Sequence, residues 1–176
     1  MAQIKLQADG LNLADTFAFT GTVTGAGGIT EADQWRMTAG MTSNGDITSN
    51  LERVDEGTFS KIGTGMSQSS GIWTFPSTGI YLIRLLIQGY STSGDTINGY
   101  INVSVNSGAS FTPAARANFS GVSCYNNSTA EYICDVTDTS TIKVRFDVSS
   151  IGGSAEVVGN TDESWTYFTF IRLGDT

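Results

Sequence analysis

The run Ile80-Tyr81-Leu82-Ile83-Arg84-Leu85-Leu86-Ile87-Gln88 decides the fold. In an extended chain Tyr81, Ile83, Leu85 and Ile87 share one face, while Ile80, Leu82 and Leu86 share the other. A continuous apolar run of strand length predicts burial on both sides. Gly79 opens the run, and Pro76-Ser77-Thr78 ahead of it marks a bend, because proline has no N–H to give to a ladder. Gly71-Ile72-Trp73-Thr74-Phe75 reads as the strand before that bend.

Further along, Ile101, Val103 and Val105 alternate with Asn102 and Ser104. Ile142, Val144, Phe146 and Val148 alternate with Lys143, Arg145 and Asp147. Both patterns predict strands with one wet face. Trp165-Thr166-Tyr167-Phe168-Thr169-Phe170-Ile171-Arg172-Leu173 is apolar on both faces again and predicts a central strand. In a two-sheet sandwich the outer faces should be polar, and two strands here break that rule. No helical pattern is long enough to cover the exposed sheet, so the remaining cover is other copies of the same chain.

Toward the N-terminus, Glu31 to Met41 is the one stretch compatible with a helical turn, weakened by Thr38 and Gly40, and reads as a connector plugged by Trp35. Thr16 to Thr24 alternates strictly, with Phe17, Phe19 and Val23 on one face, before Gly25-Ala26-Gly27-Gly28 breaks it. A lone strand of that kind needs a partner surface. It is either the first strand of the same domain or an anchoring arm. The adopted division is an arm and connector over residues 1–43 and a sandwich domain over residues 44–176.

Composition agrees with an all-β reading: 21 glycines, two prolines and 15% charged residues do not make the exposed faces of helices. The 176 residues suit one domain with a short appendage. Histidine is absent, which removes histidine triads, bases and metal ligands. Nine Lys and Arg against 17 Asp and Glu leave a net charge of -8, so a nucleic-acid partner is not expected. No apolar run reaches the roughly 20 residues of a membrane span. The opening MAQIKLQADG lacks the basic-then-apolar order of a signal peptide, which predicts no export by the general route.

The carboxylate pairs Asp55-Glu56 and Asp162-Glu163 point to opposite faces of an extended chain and do not converge on a substrate, so they read as solvated loop charges and no catalytic residue is assigned. Asp135 and Asp138, with Thr137 and Thr139, offer calcium-type oxygens, but without EF-hand spacing an Asx turn is the preferred reading and no metal site or cofactor is expected. Cys124 and Cys134 flank Asn126-Asn127-Ser128-Thr129, a cluster able to turn a hairpin; two buried thiols are preferred, with a cross-strand disulfide as the alternative. Gly63-Thr64-Gly65 lacks the helix and lysine of a phosphate loop. Trp73, Tyr81, Tyr167 and Phe168 suggest a sugar platform, although their strand period favours packing.

The order Ile62-Gly63-Thr64-Gly65, then Gly71-Ile72-Trp73-Thr74-Phe75-Pro76 leading to Gly79-Ile80-Tyr81-Leu82-Ile83, and finally Tyr167 to Leu173, resembles the tumour necrosis factor and complement globular-head superfamily over Asn44 to Gly174. The resemblance implies a ten-strand jelly-roll β-sandwich that forms a homotrimer. Its threefold interface would be lined here by Tyr81, Ile83, Leu85, Ile87, Tyr167, Phe168 and Phe170. The lead-in Leu11 to Gly28 resembles the Gly/Thr-rich strands of tailed-bacteriophage fibre and capsid decoration proteins. That implies a non-enzymatic virion protein of the head or tail, assembled in the host cytoplasm. It would attach to a capsid or tail protein through residues 1–28 with Phe17, Phe19 and Val23. The alternative role is a fibre tip recognising a host surface glycan through the polar loops Ser91–Asn98 and Asn106–Pro113.

Overall fold

The computed structural model describes residues 28–176. Twelve strands follow in chain order: β1 (Ala32–Met37), β2 (Gly45–Asp46), β3 (Leu51–Arg53), β4 (Ser67–Ser69), β5 (Ile72–Thr74), β6 (Gly79–Ser91), β7 (Thr96–Ser104), β8 (Thr112–Ser120), β9 (Cys124–Val136), β10 (Lys143–Ser149), β11 (Ala155–Val157) and β12 (Tyr167–Gly174). No helix occurs among the described residues, and every ladder is antiparallel.

The strands divide into two six-stranded sheets. In the first, β9 runs along the whole of β6, from Gly79 opposite Val136 to Ser91 opposite Cys124. The other side of β6 is shared by β12 and β11, and the sheet continues from β12 through β1 to β3. In the second, β7 and β10 are central, β8 is one edge, and β5 with β4 beyond it, together with β2, completes the other side. The aromatic strand β12 is thus central, as its two apolar faces require.

The core lies between the sheets. Trp73 of β5 is fully buried, with Trp35 edge-on at 5.1 Å and Phe170 at 5.2 Å between ring centroids; Phe146 and Phe168 stack at 4.4 Å. Offset and edge-on aromatic pairs of this kind add to the stabilisation from burial alone. Ile83, Leu85 and Ile87 of β6 fill one side. Gly99 of β7 faces them, and a Cβ there would stand 2.9 Å from Ile87 Cδ1, so a side chain would have to displace the ends of Ile87 and Leu85. Gly79 has φ +142°, and a Cβ at that position would run into the Arg172 guanidinium and the Gly174 carbonyl. Only glycine opens β6 without moving β12.

Three expectations are corrected. Glu31 to Met41 is no connector: it supplies β1, paired with β12 on one side and β3 on the other, so the sandwich takes in residues ahead of Asn44. Burial of Trp35 and Met37 plus two ladders outweighs a weak helical propensity. On β7 Ile101 and Val103 turn to the core as expected, but the face expected to be wet is covered, since Asn102 and Ser104 are buried, and Val105, beyond the strand's end, is 76% exposed. The cause is the turn after Ser104, whose hydroxyl accepts the Asn106 and Gly108 N–H groups and folds 105–111 back over that face. Finally, Asn126 to Thr129 form no turn but sit within β9. Cys124 and Cys134 lie ten residues apart on one strand, about 33 Å at 3.3 Å per residue, far beyond the roughly 7 Å Cα limit of a disulfide.

Candidate functional site

β6 is apolar on both sides, and the structure divides its two faces. Tyr81, Ile83, Leu85 and Ile87 turn into the sandwich and are at most 1% exposed. Phe168 and Phe170 of β12 do the same. These six belong to the core of a single chain and have no surface left for a neighbour, which corrects the interface expected of them. Tyr167 alone of the expected set lies on the outer face, half-buried. Tyr81 is anchored further by its hydroxyl, 2.9 Å from Ser77 Oγ, and burial pushes its pKa up.

The outer face of the first sheet is laid out in cross-strand rows. Ile133, Leu82, Ile171 and Ala32 form one. Next come Glu131, Arg84, Thr169 and Gln34, then Thr129, Leu86, Tyr167 and Arg36, then Asn127 beside Gln88, and last Tyr125, Tyr90 and Glu156. Two apolar bands are therefore separated by the Arg84–Glu131 ion pair, whose Nε donates to Oε1 at 2.6 Å. Ile133 is 61% exposed and Tyr125 58%. Two apolar bands flanking one central ion pair have the composition of a protein contact, the pair setting register more than affinity.

The sequence shows Ile80, Leu82 and Leu86 as a second apolar face of the strand, and the structure turns Leu82 and Leu86 to the outer side of the sheet. Ile133 and Ile171 were missed, since each is legible only after strand pairing sets it beside Leu82. The aromatic group Tyr90, Tyr125 and Trp165 was missed for the same reason: two whole strands separate each member from the next along the sequence. Trp73, Tyr81 and Phe168 are core residues and form no platform. Phe17, Phe19 and Val23 lie outside the described residues.

The charged candidates have structural partners. Asp55 and Glu56 are not free loop charges. They meet the buried Arg36 guanidinium, with Asp55 Oδ1 2.7 Å from Nη2, Glu56 on Nη1, and Glu52 Oε1 2.7 Å from Nε. Glu163 Oε2 accepts the Trp165 indole N–H at 2.6 Å. Asp138 Oδ1 accepts both the N–H and the hydroxyl of Ser140 at 2.7 Å, an Asx turn whose hydrogen bonds lower its pKa. Asp95 gathers the hydroxyls of Ser154, Ser93 and Ser91, with the same effect. Burial raises the pKa of Asp147, although Asn102 Nδ2 donates to it at 2.7 Å.

No family model matches the chain, and no curated protein sequence matches it. Solved structures do. An Eiger TNF from S. frugiperda superposes with a TM-score of 0.62 at 14% identity, over 82% of this chain and 93% of that one. Murine APRIL at pH 5.0 superposes with a TM-score of 0.60 at 13% identity, over 81% of this chain and 98% of that one. The fold is therefore an all-β jelly roll of the tumour necrosis factor type.

Proposed function

We propose that this chain is a self-associating, non-enzymatic structural protein. In this reading it forms a homotrimer that serves as a capsid decoration or a head or tail fibre protein of a tailed bacteriophage, assembled in the host cytoplasm and attached through residues 1–28. The outer face of the first sheet carries the proposal, with its apolar bands Ile133–Leu82–Ile171 and Leu86–Tyr167 around the Arg84–Glu131 pair. A face of that kind, with no helix among the described residues to cover it, calls for a second copy. The virion assignment draws support from the Gly/Thr-rich lead-in and the alternating Phe17, Phe19 and Val23, suited to adding a strand to a capsid or tail protein. The aromatic row at one end of the same sheet favours a second reading, a receptor-binding tip that recognises a glycan.

Light scattering after size exclusion tests self-association. Three copies of an 18.6 kDa chain give about 56 kDa, and a clean monomer overturns the proposal. Leu82→Asp is expected to leave a folded monomer by circular dichroism. Deleting residues 1–28 is expected to keep the trimeric state, at a mass lowered in proportion, and abolish attachment to particles; retained attachment refutes the arm.

A further inference from the structure

We infer that the end of the first sheet where Tyr125, Tyr90 and Trp165 meet a polar cleft is a binding site for neutral pyranose sugars. The inference deepens the receptor-binding reading and rests on it. Tyr90 and Tyr125 are cross-strand partners with ring centroids 4.9 Å apart, and Trp165 approaches Tyr125 at 6.4 Å. These rings stand at the surface, whereas the large aromatic cluster of the core does not. The Trp165 ring is held by the bond from its indole N–H to Glu163. A pyranose has an apolar C–H face that stacks on an aromatic ring and a rim of hydroxyls that needs hydrogen-bond partners beside the ring.

Those partners line the adjoining cleft of about 440 Å³, which Tyr90 shares with Thr42, Thr92, Ser154 and Glu156. This volume falls within the roughly 300–1,000 Å³ typical of small-ligand sites. Glu156 stands opposite Tyr90 across the β11–β6 ladder, so its carboxylate is on the same face as the rings. One wall is already ordered: Ser154 Oγ donates to Asp95 Oδ2 at 2.9 Å and lies 2.5 Å from Ser93 Oγ. The charge of the site selects the sugar class. Glu156, Glu163 and Asp95 are all acidic, no Lys or Arg occupies the Tyr125–Tyr90–Glu156 row or the cleft lining, and the chain carries -8 overall. Sialic and uronic acids are repelled, while neutral hexoses are not.

The test uses the full chain and saturation-transfer NMR with methyl glycosides of glucose, galactose, mannose and N-acetylglucosamine, with maltohexaose and cellohexaose, and with N-acetylneuraminic acid as the acidic control. At least one neutral sugar is expected to bind through its ring C–H protons. Tyr125→Ala and Trp165→Ala should each weaken that binding about tenfold, the loss of one stacked ring, and Glu156→Gln several-fold, with the solution mass unchanged. Binding that survives Tyr125→Ala overturns the site but leaves the receptor-binding reading standing. Absence of any neutral-sugar binding, or stronger binding of the acidic control, overturns the inference. A Tyr125→Ala variant that loses mass, in a protein that binds no sugar, would instead assign the row to the self-association face.

Discussion

Replacing Phe168 by alanine separates a core residue from an interface residue. Phe168 is 0% exposed within one chain, stacked on Phe146 at 4.4 Å and tilted against Trp73 at 5.7 Å, on a strand flanked by β6 and β1. Its neighbours belong to two ladders and two aromatic partners that cannot collapse into the void. The loss therefore falls in the phenylalanine-to-alanine range, about 3–5 kcal/mol. At about 2–4 °C per kcal/mol for a domain of this size, the melting midpoint should fall by about 6–20 °C. Urea unfolding at several protein concentrations supplies the assay. Every lost contact lies inside one chain, so the shift between native protein and variant should be the same at each concentration. Leu82→Ala on the outer face should cost the chain itself less than about 1.5 kcal/mol while weakening association. A Phe168→Ala variant that loses under about 1 kcal/mol and dissociates on dilution would refute the assignment of β12's inner face to the core.

Burial and the neighbouring Asp135 push the Cys134 thiol up to about 11, so only about one in a thousand is thiolate at pH 8. Native protein should therefore take one iodoacetamide, at exposed Cys124, and a second only in denaturant; intact mass under mild oxidation should show no internal disulfide. Asp147 has a raised folded pKa, so the folded state holds its proton more tightly than the unfolded chain does. Its ionisation thus opposes folding, and that cost is present at neutral pH and disappears as pH falls through the raised value. Asp147→Asn should be more stable than the native protein at pH 7, with the advantage shrinking toward pH 4 in urea titrations; an advantage that grows on acidification contradicts the sign. Arg36→Met leaves Glu52, Asp55 and Glu56 facing one another without their buried cation and should cost about 3–5 kcal/mol in urea unfolding at neutral pH.

Local pattern made some elements legible. Val144, Phe146 and Val148 turn inward and Lys143, Arg145 and Asp147 outward, just as their alternation requires. Gly79, the bend after Phe75 and the aromatic final strand are equally local signals. The connector at Glu31 to Met41 was misread because pairing on both sides, with β12 and β3, supplies hydrogen bonds and burial that no window of eleven residues displays. The hairpin between the cysteines was misread because turn-forming residues such as Asn126 and Asn127 are accepted in a strand already paired to β6 along its whole length.

The sequence by itself determined the class: an all-β chain without histidine chemistry, with a central strand apolar on both faces and therefore an outer face in need of cover. Strand period carries that information, since it depends only on neighbours two residues apart. What each face of β6 packs against was decided by the tertiary structure. Tyr81-Ile83-Leu85-Ile87 is uninterrupted, whereas Ile80-Leu82-Leu86 shares its side with Arg84 and Gln88, and the second sheet, packed through Gly99 against Leu85 and Ile87, takes the uninterrupted face into the core. The same holds for the aromatic row. Tyr90, Tyr125 and Trp165 become neighbours through strand register, a long-range property that hydrogen-bonded ladders and a shared core set together.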